Sequence, residues 1–246
     1  MINQYRDILP ISPIKVAPFS AVKRKFFIAM TARTGSTLLA EELNRYGLRV
    51  GEYFNRAHVR RVVEQEGLRD YGELCSHYAA TKAPNGAFGA KGPLPMMIPL
   101  FLAGEFPVAI PQWRFVYTTR TNVVRQAISL VIADKSGAWD SRAKANYKVT
   151  DSDYSAADIA RQMHSICQGM AWLEYFFASY AIQPLRLTFE QIVAKPRATA
   201  DRVAKFCGLK EEIAGLEIIQ PIESQSTQLN LEWERRFRRD ASGATL

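Results

Sequence analysis

The most constraining stretch of this chain is Phe26-Phe27-Ile28-Ala29-Met30, followed by Thr31-Ala32-Arg33-Thr34-Gly35-Ser36-Thr37 and then Leu38-Leu39-Ala40-Glu41-Glu42-Leu43. A compact run of strand formers, a turn of small residues and the helical spacing of Leu39 and Leu43 predict strand, tight loop and helix in immediate succession. A helix that starts directly after such a turn presents unpaired backbone N–H groups and a positive dipole end, a natural cradle for a phosphate. Gly35 lets the backbone approach closely, Ser36 and Thr37 add hydroxyls, and Arg33 adds a cation. A plain strand-to-helix turn is the alternative at this point. Lys23-Arg24-Lys25 before the apolar run mimics a signal peptide, but it starts late and the run is short.

The rest of the pattern alternates strands with helices. Short strands are expected over 46–53, 87–91, 114–119 and 184–188. Helices are expected over most of 57–80, over 94–104 with a break at Pro99, and over 122–132, 156–180 and 196–207, the last closed by Gly208. Residues 139–154 are polar and mixed, as in a loop over a site, and 231–239 form a short basic helix. Such alternation implies βαβ units and an α/β fold with a central parallel sheet flanked by helices. Residues 1–22, with Pro10, Pro13 and Pro18, are expected as an extended arm before a single domain over 23–246.

Charge narrows the partners. Thirty-two Lys and Arg against 24 Asp and Glu leave a net charge of +8, which favours a polyanionic partner: nucleic acid, an anionic membrane surface or a multiply phosphorylated small molecule. The three cysteines, Cys75, Cys167 and Cys207, are far apart and lack metal-ligand spacing, as expected of reduced thiols in a cytoplasmic protein. The most apolar stretch, 93–111, carries Glu105 and four prolines, so no transmembrane helix is expected.

The first loop lacks the Walker signature G-x-x-x-x-G-K-[ST]: Met30 stands at the first glycine position and Ser36 at the lysine position. Strand 115–119 ends in Thr-Thr-Arg, without an acidic magnesium partner. A second anion site is suggested by Arg120, at a strand carboxyl end, and Ser129, nine residues on in the following helix. In isolation they are also an ordinary surface arginine and helix serine. Two phosphate sites, one at each end of a cofactor that bears a transferable group, suit 3′-phosphoadenosine 5′-phosphosulfate.

The Arg33–Leu39 loop, the Arg120 and Ser129 pair, and Leu187-Thr188-Phe189-Glu190-Gln191-Ile192-Val193 together resemble sulfotransferases. Gly51-Glu52-Tyr53-Phe54, Pro84-Asn85-Gly86-Ala87-Phe88-Gly89-Ala90-Lys91 and the tail from Glu232 to Asp240 narrow the resemblance to the bacterial trehalose 2-sulfotransferase-like family. The resemblance covers about Phe26 to Asp240 and implies a P-loop-like, three-layer sulfotransferase fold. It further implies that Arg33, Thr34, Gly35, Ser36, Thr37 and Leu38 hold the 5′-phosphosulfate and that Arg120 and Ser129 hold the 3′-phosphate. Glu52 is then the general base, Lys91 steadies the sulfonate or the acceptor, and Arg236, Arg238 and Arg239 fold over the anionic cofactor.

Other roles stay open for several of these residues. Glu52 also fits a structural carboxylate paired with Arg49 or Arg56, His58 is the rival base, Lys91 fits a plain strand-end lysine, and the tail fits a solvated charge run. The strand bearing Lys91 meets Gly92-Pro93-Leu94-Pro95 where the family continues apolar and aromatic, which sets trehalose itself apart from the broader class of sugar or glycolipid hydroxyls. The resemblance also implies a homodimer and, for a glycolipid acceptor, peripheral membrane contact. The expected reaction is metal-independent, in-line transfer of a sulfonyl group, leaving 3′,5′-adenosine bisphosphate, without a nucleic-acid partner. A nucleotide-dependent kinase and a basic nucleic-acid-binding protein are the alternatives; magnesium dependence would mark the first and steeply salt-dependent strand binding the second.

Overall fold

The computed structural model describes residues 3–11, 17–139, 142–209 and 228–243. Parts of the expected arm (1–2 and 12–16) and of the expected loop (140–141) lie outside them. The elements run α1 (Asn3–Arg6), β1 (Arg24–Met30), α2 (Ser36–Glu42), α3 (Arg56–Glu66), α4 (Tyr71–Thr81), β2 (Ala87–Gly92), α5 (Ile98–Leu102), α6 (Glu105–Ala109), β3 (Trp113–Thr119) and α7 (Val123–Ser136). They continue with α8 (Ala156–Ser179), β4 (Leu185–Thr188), α9 (Phe189–Ala194), α10 (Pro196–Cys207) and α11 (Gln228–Gly243).

The four strands form one parallel sheet in the order β2-β1-β3-β4. Ile28 of β1 lies opposite Lys91 of β2 and Val116 of β3, and Thr119 lies opposite Thr188 of β4. The carboxyl ends of the strands therefore reach one edge together. The chain adds β2 on one side of β1 and then β3 on the other, so the strand order reverses there, where open α/β sheets bind their ligands.

The sheet is covered on both faces, which explains why β1 is an unbroken apolar run rather than an alternating one. Phe27 and Ala29 face a core shared with Phe88, Phe115, Tyr117, Leu100, Phe106 and Phe177. Phe26 and Ile28 face the opposite core with Leu39, Leu43, Val116, Leu187 and Val203. Helix, sheet and helix form three layers: the α/β arrangement with a central parallel sheet that the alternation of elements implied, and the three-layer fold that the resemblance implied. α7, α8 and α11 build a third cluster around Ile128, Ile166 and Trp233.

Several elements differ from the sequence expectation, each for a local reason. The expected strand over 46–53 is absent: residues 43–46 form a 3-10 turn closed by Gly47 in the left-handed region (φ 71°), and the segment touches the sheet through one bridge, Gly51 to Ala90. Most of 57–80 is helical, as expected, but in two helices. Gly67 (φ 63°) ends α3, and Asp70 restarts the chain as the cap of α4, its carboxylate accepting from the Glu73 N–H at 2.9 Å. Pro99 does not break its helix; it sits in the first turn of α5, where its missing N–H has no intrahelical partner to lose. The break falls at Gly104, and the 94–112 stretch is bent by 85° there. Among the described residues no single helix is long and apolar enough to cross a membrane.

The described part of the first 22 residues is packed rather than extended. The Tyr5 hydroxyl donates to the Phe54 carbonyl at 2.7 Å, and Phe19 is fully buried against Phe88 and Trp113. Beneath Phe19 lies a buried ion pair, Lys25 to Glu105 at 3.2 Å.

Candidate active site

The loop after β1 is shaped from below. Thr34 is fully buried, sharing a 2.8 Å hydrogen bond between its hydroxyl and that of Thr118 at the end of β3. Its side chain therefore ties two strand ends together, leaving its backbone to the loop. Gln126 of α7, also fully buried, donates to the Thr31 hydroxyl at 2.8 Å and to the Ala32 carbonyl at 2.7 Å. Gly35 turns the chain into α2 at φ 77°, with Phe189 3.2 Å from where a Cβ would stand, so a side chain there meets both backbone strain and a ring. Ser36 is buried with its hydroxyl toward the Met30 sulfur. Geometry leaves the first N–H groups of α2 without intrahelical acceptors, and no side chain caps them.

Arg33 takes a left-handed backbone (φ 69°), a conformation that costs a non-glycine residue about 1–2 kcal/mol. Its side chain fixes that geometry: Nε donates to Ser129 Oγ at 2.9 Å and Nη1 to the Trp139 carbonyl. The two expected anion sites are thus contiguous, since Arg33 of the first touches Ser129 of the second.

Arg120 leaves the end of β3 with its guanidinium 4.1 Å from the centre of the Phe189 ring. Its Nε is buried and has no hydrogen-bond partner among the described residues. Burial, followed by the charges of Arg33 and Arg125, holds its guanidinium below the usual range, with Glu190 acting the other way. A buried, unpaired donor among like charges is a candidate contact for an anion.

Lys91 and Glu52 meet at the end of β2. The Lys91 ammonium donates to Glu52 Oε1 at 2.7 Å and to the Thr37 hydroxyl at 3.2 Å. The pair is held by backbone: the Lys91 N–H donates to the Gly51 carbonyl at 2.9 Å. Glu52 pairs with neither Arg49 nor Arg56; Arg56 pairs with Asp7. Glu52 Oε2 has no hydrogen-bond partner among the described residues. His58 lies elsewhere, stacked on Tyr78 at 6.2 Å with Nδ1 against Arg61, and burial with the Arg61 and Lys82 charges pushes its pKa down.

A cleft of about 320 Å³ joins the Arg33 loop to Glu52 and Lys91, with Arg120 and Ser129 outside its walls. Its walls include Arg33, Ser36, Thr37, Glu52 and Lys91, together with Glu41, Trp139 and Arg142. The last three were not anticipated: two come from the polar loop, and Glu41 is an ordinary helix carboxylate in sequence. Gln126 and Arg125 were also missed, although a glutamine among the apolar positions of 123–131 is a readable signal.

The tail reaches the Arg120 side of the site through a residue that was not singled out, Glu234. It accepts from Asn122 Nδ2 at 2.9 Å, pairs with Arg125 and takes Arg238 at 3.0 Å. Arg236 stacks on Tyr154 at 4.0 Å and lies 3.7 Å from Asp151. Arg236 and Arg238 thus have protein partners, while Arg239 lies 3.9 Å from Asp240. Burial would raise the Glu234 pKa, but the hydrogen bonds from Asn122, Arg125 and Arg238 outweigh it and bring it to about 2. A folded pKa below the ordinary 4.5 adds stability above that value, lost as pH falls from about 4.5 toward 2. In a variant with Trp113, Trp139 and Trp172 replaced by Phe, which leaves Trp233, fully buried beside Glu234, as the one tryptophan of the four, emission is expected to shift to the red across this window. Glu234→Gln should remove the acid-induced step.

A parallel α/β sheet with a basic, donor-lined crevice at a strand-order reversal is the arrangement in which open α/β enzymes bind their ligands. The model of the Stf0 sulphotransferase family matches residues 104–240, more than half of the chain. The chain belongs to that family, consistent with the trehalose 2-sulfotransferase-like resemblance, and is an enzyme that transfers a sulfonyl group to a small-molecule acceptor. The matched span holds Arg120, Ser129 and the tail, whereas Arg33, Glu52 and Lys91 precede it. No curated protein matches the chain.

Proposed function

We propose that this sulfotransferase uses 3′-phosphoadenosine 5′-phosphosulfate as donor and a hydroxyl of a carbohydrate or glycolipid as acceptor, with Glu52 as general base. The observation that carries the donor assignment is the Arg33, Arg120 and Arg125 cluster at the ends of β1 and β3, in which the buried Nε of Arg120 lacks a partner. These residues fit a phosphate, and the α2 N–H groups beside Arg33 fit a second anionic group. Bound there, the donor supplies the sulfonyl group and a phosphate leaving group.

The chain's own residues do the rest. Glu52 Oε2 takes the proton of the acceptor hydroxyl, while Lys91 holds Oε1 and so fixes the carboxylate. Arg33 and the Lys91 ammonium offset negative charge where it develops, and one such preorganised donor is typically worth about 3 kcal/mol. The acceptor class rests on the Glu52, Lys91 and tail motifs of the resembled family.

The test is thermal stabilisation by 3′,5′-adenosine bisphosphate against 5′-AMP and Mg-ADP. At 100 times its dissociation constant a ligand adds about 2.7 kcal/mol, roughly 5–10 °C for a chain of this length. A shift with the bisphosphate alone, absent in Arg120→Ala, is expected. A shift only with Mg-ADP would replace this reading by the kinase.

A further inference from the structure

Subtracting the groups assigned to donor and base from the cleft walls leaves three large polar or aromatic residues, Glu41, Trp139 and Arg142. They are connected. Arg142 Nη1 meets Glu41 Oε1 at 2.8 Å, with both side chains more than two-thirds buried (31% and 24% exposed). The other oxygen of Glu41 accepts from Asn44 Nδ2 at 2.8 Å, so this carboxylate is fixed on α2 before Arg142 arrives. Three residues upstream of Arg142, the Trp139 carbonyl accepts from Arg33. The segment's ends are also pinned. Gly137 closes α7 at φ 73°, and the Asn146 N–H returns to the Ser136 carbonyl at 2.8 Å.

We propose that Arg142 is a positioning residue: its ion pair with Glu41 secures Trp139, whose carbonyl, opposite Ser129, holds the Arg33 guanidinium in place. The physical reason is preorganisation. Arginine has five N–H donors in a rigid fork; with Nε on Ser129 and Nη1 on Trp139, the plane of the guanidinium is set before an anion arrives. An arginine ordered only on binding loses rotamer freedom at that moment and binds more weakly. The left-handed backbone of Arg33 is held by the same two contacts.

The inference rests on the sulfotransferase donor reading, and its test separates the two. Amide hydrogen exchange of the unliganded protein, read at residues 137–139 and 142–146, is expected to be several-fold faster in Arg142→Ala than in wild type. It should recover in Arg142→Lys and in the charge swap Glu41→Arg/Arg142→Glu. The dissociation constant for 3′,5′-adenosine bisphosphate should rise about three- to tenfold in Arg142→Ala and return to within about twofold of wild type in the swap. Unchanged exchange in Arg142→Ala overturns the proposal, as does unchanged or tighter ligand binding. A swap as weak as Arg142→Ala also overturns it, because Arg142 would then touch the ligand itself. If wild type does not bind the bisphosphate, the donor reading fails, and the exchange pattern alone decides whether the Arg142–Glu41 ion pair secures Trp139.

Discussion

Glu52→Gln is expected to bind 3′,5′-adenosine bisphosphate within about twofold of wild type while transferring sulfonyl groups roughly 10²- to 10⁴-fold more slowly, the span that loss of a positioned general base produces. The amide keeps the size of the carboxylate and an oxygen for Lys91, so the 2.7 Å contact that fixes this side chain has a neutral counterpart. What it lacks is an oxygen able to take a proton. Isothermal titration with the bisphosphate and a single-turnover assay with labelled donor separate the two effects. His58→Gln is the control, because His58 packs on Tyr53 and Tyr78 and is not part of the cleft wall. Normal turnover by Glu52→Gln would move the base to another residue.

Glu105→Ala should destabilise the fold by about 3–5 kcal/mol, the usual consequence of stranding a buried charge, out of a total of roughly 5–15 kcal/mol for a domain. The carboxylate is fully buried and serves three groups. Oε1 accepts from Lys25 at 3.2 Å and from the Trp113 indole at 3.0 Å, and Oε2 accepts from the Phe19 N–H at 2.9 Å. Lys25 also reaches Gln112 at 2.9 Å and the Phe19 carbonyl at 3.2 Å. Removing Glu105 leaves the buried Lys25 ammonium without its counter-charge and two N–H donors, of Phe19 and Trp113, unpaired at once. Lys25→Met with Glu105→Leu removes both charges and should recover part of the loss. Urea unfolding of the three variants measures this; a loss below about 1 kcal/mol for Glu105→Ala would show that water reaches the site.

The local structure of the two candidate anion sites was legible because each is local: a strand, a turn and a helix lie within about 18 residues at 26–43, and Arg120 and Ser129 lie nine apart on one strand end and the next helix. Their direct contact, Arg33 to Ser129, was not legible, since it depends on β1 and β3 being neighbours in the sheet. Thr34 shows the opposite limit. Its place in the motif was visible, but the hydroxyl it pairs with belongs to Thr118, which sequence spacing does not bring near. Most of 57–80 is helical as expected, and the interruption lay in chemistry that was present: Gly67 and Asp70 are a stop and a start three residues apart, weaker in a periodicity count than the apolar pattern running through them.

By itself, the sequence determined the element types of the sheet and its main helices, the strand, tight turn and helix around Gly35, and the basic balance that favours an anionic partner. Those properties follow from short-range terms: backbone preference, side-chain periodicity and charge count. Tertiary structure alone decided that the first residues pack under the sheet through Tyr5, Phe19 and Lys25. It also decided that Glu234 anchors the tail beside Arg125, and that Trp139 and Arg142 close one wall of the cleft. Each of these contacts joins residues about 50 to more than 100 positions apart, apart from the shared wall itself. Which distant polar groups become partners is fixed when the two apolar faces of the sheet are covered, because burial then forces each remaining donor and acceptor to find whichever group the packing has placed beside it.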